Sequence, residues 1–236
     1  MVIVGLLAII IFGGIKRIAR FAEFVVPFMA AGYIPMAVVI VIANIHELPG
    51  VIKLIFEDAF SPMAGLGAAI GWGVKRGVYS NEAGQGTGPH AAAAAEVQHP
   101  AQQGFVQAFS IYVDTLFVCS ATAFMILITG MYNVQGTLEA GQFIVQNVAA
   151  TVEIGSPAFT QMAVSTVFGG FGQIFVALAV FFFAFTTIVA YYYIAETNIA
   201  YINRKVNRPW LTVVLKVIIM ASTVYGTVKT ADLAWG

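Results

Sequence analysis

The sequence has little charge and almost no cysteine. Only 9% of its 236 residues are charged, against about 25% in a typical soluble domain, and 60% are hydrophobic. The formal net charge is zero, so the basic surface that nucleic-acid binding requires is absent. The single cysteine, Cys119, excludes an internal disulfide and a Cys-x-x-Cys zinc site, and its apolar surroundings predict core packing. These shortages indicate a protein whose main solvent is lipid.

Motifs for nucleotide use and for covalent chemistry are also missing. The glycine-rich stretch GQGTGP at 84–89 is not preceded by a strand or followed by Lys-Ser or Lys-Thr, which excludes a phosphate loop. His90 and His99 lie nine residues apart, a spacing that favours packing over a shared metal. A membrane-embedded enzyme would need convergent His, Asp or Cys groups, and none is evident. The sequence therefore predicts that the protein is not an enzyme.

Long apolar segments are what the chain does contain. A helix needs about 20 apolar residues to cross a hydrocarbon core of about 30 Å. The first segment is shorter than this and is interpreted as the trailing part of a longer helix, so the chain is expected to be a fragment of a single membrane domain. The predicted spans are 2–14 (partial), 23–44, 61–79, 101–130, 168–201 and 210–228.

The cations between these spans predict the orientation. With alternating spans, eight cations fall in inner loops and two in outer loops, as the positive-inside rule requires. The inner set is Lys16, Arg17, Arg20, Lys75, Arg76, Arg204, Lys205 and Arg208, and the outer set is Lys53 and Lys229. The prediction is a multi-pass protein of the inner (plasma) membrane whose polar stretch at 80–98 faces the cytoplasm.

Several local structures are predicted between the spans. Residues 13–20 are expected to form a basic loop, and 46–60 a short interfacial helix. The alanine run in 80–98 is expected to be helical, and an amphipathic helix is expected near 138–152.

The stretch from Gly71 to Pro100 is a polar, glycine-rich hinge between spans. Non-helical backbone at membrane depth is tolerated only where it is buried in protein or faces water. This stretch is therefore the best functional candidate. Asn81 and Glu82 either gate a cytoplasmic pathway or simply begin a helix, with Ser80 as its N-cap.

Two further groups of polar side chains lie inside apolar spans. Asp114 is expected about 15 Å into its span, where an ionisable residue binds a cation, relays a proton or locks two helices together. Thr186 and Thr187 are adjacent hydroxyls suited to a dehydrated sodium ion, unless they bond back to the preceding turn. Tyr191 shares a helix face with Thr187. Glu196, near the inner end of the same span, is expected to pair with Arg204 or water.

Glycines interrupt the span at 61–79. Five of them indicate close helix packing or local unwinding. Unwound backbone at mid-membrane depth is how transporters build sites for zwitterions and small cations.

Four stretches closely resemble the alanine or glycine:cation symporter family, also called sodium:alanine symporters. They are GVKRGVYSNEAGQGTGPHAAAAA at 73–95, HPAQQGFVQAFSIYVDTLFVCSATAFMILITG at 99–130, IFGGIKRIARFAEFVVPFMAAGYI at 11–34 and FFFAFTTIVAYYYIAE at 181–196. The resemblance implies an all-α transmembrane fold, a leucine-transporter-like inverted repeat of five plus five helices, of which the chain would supply about the fourth to ninth.

The same resemblance implies sodium-coupled symport of a small neutral amino acid such as alanine or glycine, with sodium as the co-transported ion. It implies substrate contacts at Thr187, Tyr191, Gly65, Leu66 and Gly67, and sodium contacts at Thr186 and Thr187. The implied partners are the lipid bilayer and the N-terminal helices of the same protein, without which the fragment is expected to be inactive. The alternatives are another cation-coupled small-solute transporter or a passive channel.

Overall fold

The computed structural model describes residues 2–13, 15–60, 69–135, 143–152, 155–206 and 208–227. Most of these residues are helical. The helices are α1 Val2–Ile11, α2 Ile15–Ala43, α3 Leu48–Ala59, α4 Ala69–Ser80, α5 Glu82–Gln85, α6 Gly88–Ala92, α7 Pro100–Tyr112, α8 Ser120–Ile128, α9 Ala158–Phe168, α10 Gly170–Val206 and α11 Trp210–Gly226. A 3₁₀ turn, Ile45–Glu47, precedes α3, and a π-helical segment, Val113–Cys119, joins α7 to α8. Two antiparallel strands, β1 Asn133–Gln135 and β2 Phe143–Gln146, complete the set.

Three helical stretches in the described residues are long and apolar enough to cross a membrane. They are Arg20–Ala43, Pro100–Ile128 and Gly170–Lys205, with 24, 29 and 36 residues. At 1.5 Å per residue the shortest is about 36 Å long, more than the hydrocarbon core of about 30 Å. The mostly helical structure fits an all-α membrane protein.

Two helix boundaries differ from the sequence-based expectations. Residues 15–20 are helical rather than a loop, because α2 begins at Ile15, and Ile18 is only 4% exposed within the apolar core cluster. The alanine run does not continue as a helix, because α6 ends at Ala92. Helical structure resumes at Pro100, which opens α7.

The amphipathic helix predicted near 138–152 is wrong for the residues that can be described. Residues 143–146 form β2, whose side chains alternate between half-buried and exposed, the period of a strand. Asn133 holds the end of this hairpin: its Oδ1 accepts the N–H groups of Asn147 and Val148 at 2.9 and 2.8 Å, and its Nδ2 donates to the Val148 carbonyl at 3.0 Å. The β-branched and aromatic residues of FIVQ favour pairing over helix here.

The chain divides into two compact units. The first comprises Met1–Phe28, Thr87–Gly104 and Phe182–Gly236, and the second comprises Met29–Gly86 and Phe105–Phe181.

The first unit has an apolar core built on one face of α10. Phe185, Val189 and Tyr192 recur at intervals of four and three residues, so they lie on one face, and each is at most 3% exposed. Leu7 and Ile11 of α1 are fully buried in the same cluster. The Phe185 ring meets Phe21 edge-to-face with centroids 5.4 Å apart. Residues of α11 pack against this core: Leu215, Ile219 and Met220.

In the second unit, a hydrogen bond between two side-chain hydroxyls, those of Tyr33 and Thr122, connects α2 to α8. The Thr122 hydroxyl donates to the Val118 carbonyl at 3.2 Å, so the Tyr33 hydroxyl donates to Thr122 Oγ1 at 2.7 Å. Apolar residues of the same unit are fully buried: Ile40, Met125, Ala163, Val164 and Val176. The bond lets a polar side chain lie in an apolar unit without an unmet donor.

Phe185→Ala should destabilise the first unit. Removing a fully buried phenylalanine leaves a cavity and costs about 3–5 kcal/mol of unfolding free energy. At roughly 2–4 °C per kcal/mol for a chain of this size, the apparent melting temperature in detergent should fall by about 6 °C or more. Phe171→Ala on the same helix, at a residue that is 61% exposed, is the control and should change it little. Equal effects of the two substitutions would show that this core is not the main source of stability.

Candidate functional site

Within the polar stretch from Gly71 to Pro100, a break of one residue at Asn81 separates two helices and forms the hinge. α4 ends at Ser80, Asn81 is extended with φ −151° and ψ 174°, and α5 begins at Glu82. The Asn81 side chain accepts the Ala83 N–H at 3.1 Å, which makes Asn81 the N-cap of α5. The expected cap, Ser80, is instead the last residue of α4.

Asn81 and Ser80 also attach the hinge to the π segment. The Asn81 amide nitrogen donates to Thr115 Oγ1 at 3.0 Å. The Ser80 hydroxyl lies 3.4 Å from the Cys119 sulfur. Asn81 therefore caps a helix and crosslinks two elements at once, and its capping role does not exclude a role in gating.

The π segment arranges the polar side chains that meet the hinge. The Cys119 thiol donates weakly to Asp114 Oδ2 across 4.0 Å, and the Ser120 hydroxyl donates to the Thr115 carbonyl at 3.3 Å. Both pairs are five residues apart, the spacing of a π-helical turn. Since the thiol proton is directed at Asp114, the Ser80 hydroxyl donates to the Cys119 sulfur. Single π turns inside α-helices occur frequently at functional sites.

Cys119 corrects an expectation. The sequence predicts core packing, but the side chain is exposed and contacts Ser80 and Asp114. Composition could not reveal this, because Ser80 lies 39 residues earlier in the chain.

The hinge is closely packed at Gly84. A Cβ atom on this residue would lie 2.5 Å from the Val78 carbonyl oxygen and 2.7 Å from the Val78 Cα. Both are backbone atoms that cannot rotate away, so only glycine fits. This contact holds α5 against the last turn of α4.

Glu82 follows the cap and is half-buried. Its Oε2 atom is inaccessible to water and has no hydrogen-bond partner in the described part of the chain. Burial raises the pKa of the Glu82 carboxyl above its usual value. The folded hinge therefore retains this proton to a higher pH than the unfolded chain does, and ionisation of Glu82 as the pH rises works against the folded hinge.

The threonine pair lies on α10 in the first unit. Thr186 Oγ1 donates to the carbonyls of Phe182 and Phe183 at 2.9 and 3.1 Å, and Thr187 Oγ1 donates to Phe183 at 2.8 Å. Back-bonding, the alternative to sodium ligation, is therefore present. It engages the hydroxyl protons and leaves oxygen lone pairs available. Thr187 and Tyr191 are both exposed, and they lie one turn apart on one helix face.

The other predicted site residues are distributed as follows. Gly65, Leu66 and Gly67 lie outside the described residues. Asn81, Glu82 and Asp114 belong to the second unit, where Asp114 lies within the π segment and Asn81 donates to Thr115 of that segment. No group of three or more His, Cys, Asp or Glu side chains that could hold a metal occurs in the described ranges.

Sequence reasoning missed the partners of two polar residues in the first unit. His90 was expected only to pack, but its Nδ1 lies 2.9 Å from Asn198 Oδ1. The Asn198 amide nitrogen donates to the Ile194 carbonyl, so its oxygen is the acceptor and His90 Nδ1 carries the proton. Glu196 does not pair with Arg204, since the ion pair found among the described residues is Lys53–Glu57. Asn198 is a polar residue in an apolar helix, and this feature of the sequence could have indicated that it has a polar partner such as His90.

Gly84→Ala should disrupt the hinge. Forcing a methyl group against Val78 requires the backbone to shift, and such overpacking costs about 1–3 kcal/mol. We expect a lower apparent melting temperature and faster amide hydrogen exchange in residues 78–86. Gly77→Ala is the matched control: its added Cβ would meet no atom within 4 Å, and alanine favours helix by about 1 kcal/mol. A Gly84→Ala variant as stable as Gly77→Ala would contradict the close packing.

The chain is similar to several bacterial proteins that are named as carriers or symporters. The chain is 64% identical to the putative sodium/proton-dependent alanine carrier protein YrbD of Bacillus subtilis, over 99% of the chain and 48% of that protein. It is 56% identical to the sodium/proton-dependent alanine carrier protein of Bacillus sp. PS3, over 99% and 53%. It is 37% identical to the probable sodium/glutamine symporter GlnT of Bacillus subtilis, over 100% and 46%. No solved structure matches.

The chain thus spans about half the length of the curated relatives it matches. The relatives are named as carriers and symporters, which confirms the expectation of a transport protein rather than an enzyme. The family model described as the sodium:alanine symporter family matches residues 1–236. The chain belongs to the sodium:alanine symporter family.

Proposed function

We propose that this chain is part of a secondary transporter that couples the uptake of a small neutral amino acid, alanine or glycine, to a cation gradient across the plasma membrane. The single observation that carries the proposal is the 64% identity, over nearly the whole chain, to a relative named as a sodium/proton-dependent alanine carrier. The three apolar helices long enough to span a bilayer support a multi-pass membrane location. Sodium is the proposed co-transported ion.

The proposed architecture is the inverted repeat of five plus five helices, of which residues 1–236 supply about the fourth to ninth. In such repeats, substrate and cation lie near the bilayer midplane at discontinuous helices, where helix N-termini meet the carboxylate and unwound carbonyls meet the cation. Gly65, Leu66 and Gly67 are proposed to form the discontinuity. The substrate would contact them together with Thr187 and Tyr191.

The threonine pair is proposed to contribute to the sodium site. The hydroxyl protons of Thr186 and Thr187 are engaged by carbonyls one turn earlier, so each oxygen presents lone pairs rather than a proton. Hard oxygen atoms are the ligands that alkali and alkaline-earth cations prefer. Asn81, Glu82 and Asp114 are proposed to couple the hinge to the π segment during gating, a role that the Asn81–Thr115 bond would serve.

The transport proposal is tested with the protein as its gene encodes it, reconstituted into liposomes. An inward sodium gradient should drive saturable accumulation of radiolabelled alanine above its external concentration, and glycine should compete. Choline in place of sodium should abolish accumulation. Glutamine is included because one relative is named as a glutamine symporter. Flux that equilibrates without accumulation would favour a passive channel, and accumulation driven only by a proton gradient would replace sodium as the coupling ion.

Thr187→Val should weaken the sodium dependence of that uptake. Losing one oxygen ligand worth about 1.4 kcal/mol raises the half-saturating sodium concentration about tenfold. The matched control is Thr223→Val in α11, whose hydroxyl makes the same kind of back-bond, to Ile219 at 2.8 Å. If both variants keep the sodium dependence of the parent, Thr187 is not a sodium ligand.

Residues 1–236 reconstituted by themselves should not accumulate alanine. The relatives that carry transport names are about twice as long, and the family resemblance implies that part of the amino-acid and sodium sites comes from the first helix of the repeat. The measurement is uptake into liposomes that contain only this chain. Sodium-dependent alanine accumulation in those liposomes would refute the expectation.

A further inference from the structure

Three cations lie together where α10 ends and the chain turns into α11. Arg204 and Lys205 occupy the last turn of α10, and Arg208 lies two residues before Trp210, the first residue of α11. The Asn203 side chain fixes this turn, because its Oδ1 accepts the Arg208 N–H at 3.1 Å. The bond holds the backbone of Arg208 beside the last turn of α10. Arg204, Lys205 and Arg208 therefore form one patch, which we call the basic turn.

The positive charge of the basic turn is exposed and is not balanced by an acidic side chain in the described part of the chain. All three of its side chains are exposed. The ion pair found among the described residues is Lys53–Glu57, which belongs to the second unit. Residues 197–227 contain no Asp or Glu, and Glu196, about two turns before Arg204, has an Oε2 atom that is buried away from water.

The end of α10 offsets only part of this charge. The macrodipole leaves about half of an elementary negative charge on the last carbonyl groups of a helix, and cations in the last turn interact favourably with it. Arg204 and Lys205 together exceed that partial charge, and Arg208 lies beyond the helix. Positive charge therefore remains available to a partner outside the described residues.

Exposed aromatic side chains flank the basic turn on both helices. Tyr201, one helical turn before Lys205, is 67% exposed, and Trp210 is 52% exposed. Tyrosine and tryptophan rings concentrate at the level of lipid headgroups, because each has an apolar body and a polar tip. The stretch Gly170–Lys205 is long and apolar enough to cross a membrane, so the basic turn lies at the end of a span. Its neighbours thus indicate the headgroup region.

The chemistry of these side chains selects an anionic phosphate ester. An arginine guanidinium group donates two parallel N–H groups to phosphate oxygens, and a lysine ammonium group adds a compact charge. A zwitterionic headgroup carries its own cation beside the phosphate, whereas an anionic headgroup does not and is attracted more strongly. Each basic residue immediately beside a membrane span strengthens the binding of anionic lipid about fivefold.

We propose that the basic turn binds the headgroup of an anionic phospholipid, such as phosphatidylglycerol, in the leaflet where α10 ends. The distribution of cations along the chain predicts that this is the cytoplasmic leaflet. The inference goes beyond the proposed function, because it holds whichever solute is carried. A bound headgroup would neutralise the basic turn and would hold the end of α10 against the start of α11.

The test uses the protein as its gene encodes it, purified in a neutral detergent and titrated with phosphatidylglycerol. The readout is the lipid fraction that gives half of the rise in apparent melting temperature. Arg208→Gln should raise this fraction about fivefold, and the triple change Arg204→Gln, Lys205→Gln and Arg208→Gln about a hundredfold. Arg208→Lys keeps the charge and should behave nearly as the parent does. Lys53→Gln, at an exposed cation of α3, is the matched control and should leave the fraction unchanged.

Two further probes separate a lipid from other sources of phosphate. Phosphatidylcholine has a phosphate but no net charge, and glycerol 3-phosphate is a free phosphate ester, so neither should stabilise the protein as phosphatidylglycerol does. Sodium chloride at about 1 M should weaken the effect of phosphatidylglycerol, because the Debye length falls to about 3 Å.

Stabilisation by either of those two probes equal to that by phosphatidylglycerol would overturn the lipid site. So would an unchanged response to phosphatidylglycerol in Arg208→Gln and in the triple variant. Because Arg208 lies outside the helices, the single substitution remains informative if the triple variant does not fold. Alanine uptake plays no part in these measurements, so a negative result leaves the proposed transport function standing.

Discussion

The constraint behind this structure is that a polar group in a bilayer must find its partner within the protein. The threonines in the apolar helices meet it locally: Thr129, Thr186 and Thr223 each donate to a carbonyl four residues earlier. Asn44 and Asn198 do the same with their side-chain amides. Helices can therefore carry hydroxyl and amide oxygens at membrane depth without an unmet donor, and those oxygens remain available as acceptors.

The hinge and the π segment are the places where local bonding does not suffice. Asn81 interrupts the helical run, and its side chain then satisfies the Ala83 N–H and the Thr115 hydroxyl oxygen. Gly84 permits the short α5 to lie against the backbone of Val78. The π turn brings Asp114 and Cys119 onto one side. The hinge and the π segment are thus joined by side-chain hydrogen bonds.

Hydropathy predicted the apolar helices because it depends only on local composition, and the structure has them at 20–43, 100–128 and 170–205. The prediction from local composition was wrong where contacts with residues distant in the chain decided the local structure. The basic residues after Gly13 indicated a loop, yet Ile18 packs into the core of the first unit and extends the helix to Ile15. Phe143–Gln146 pairs with another strand, a stabilisation that no single segment reveals.

The sequence by itself determined the membrane class, the helical character and, through its motifs, membership of the sodium:alanine symporter family. It also identified Asn81, Thr186 and Asp114 as polar residues that need an explanation. Thr186 takes local partners one turn earlier, but only the tertiary structure decided the partners of Asn81 and Ser80, because Asn81 and Thr115 are 34 residues apart and Ser80 and Cys119 are 39 apart. Hydrophobicity adds up along the chain, whereas a hydrogen bond depends on the distance and direction between two atoms that folding alone brings together.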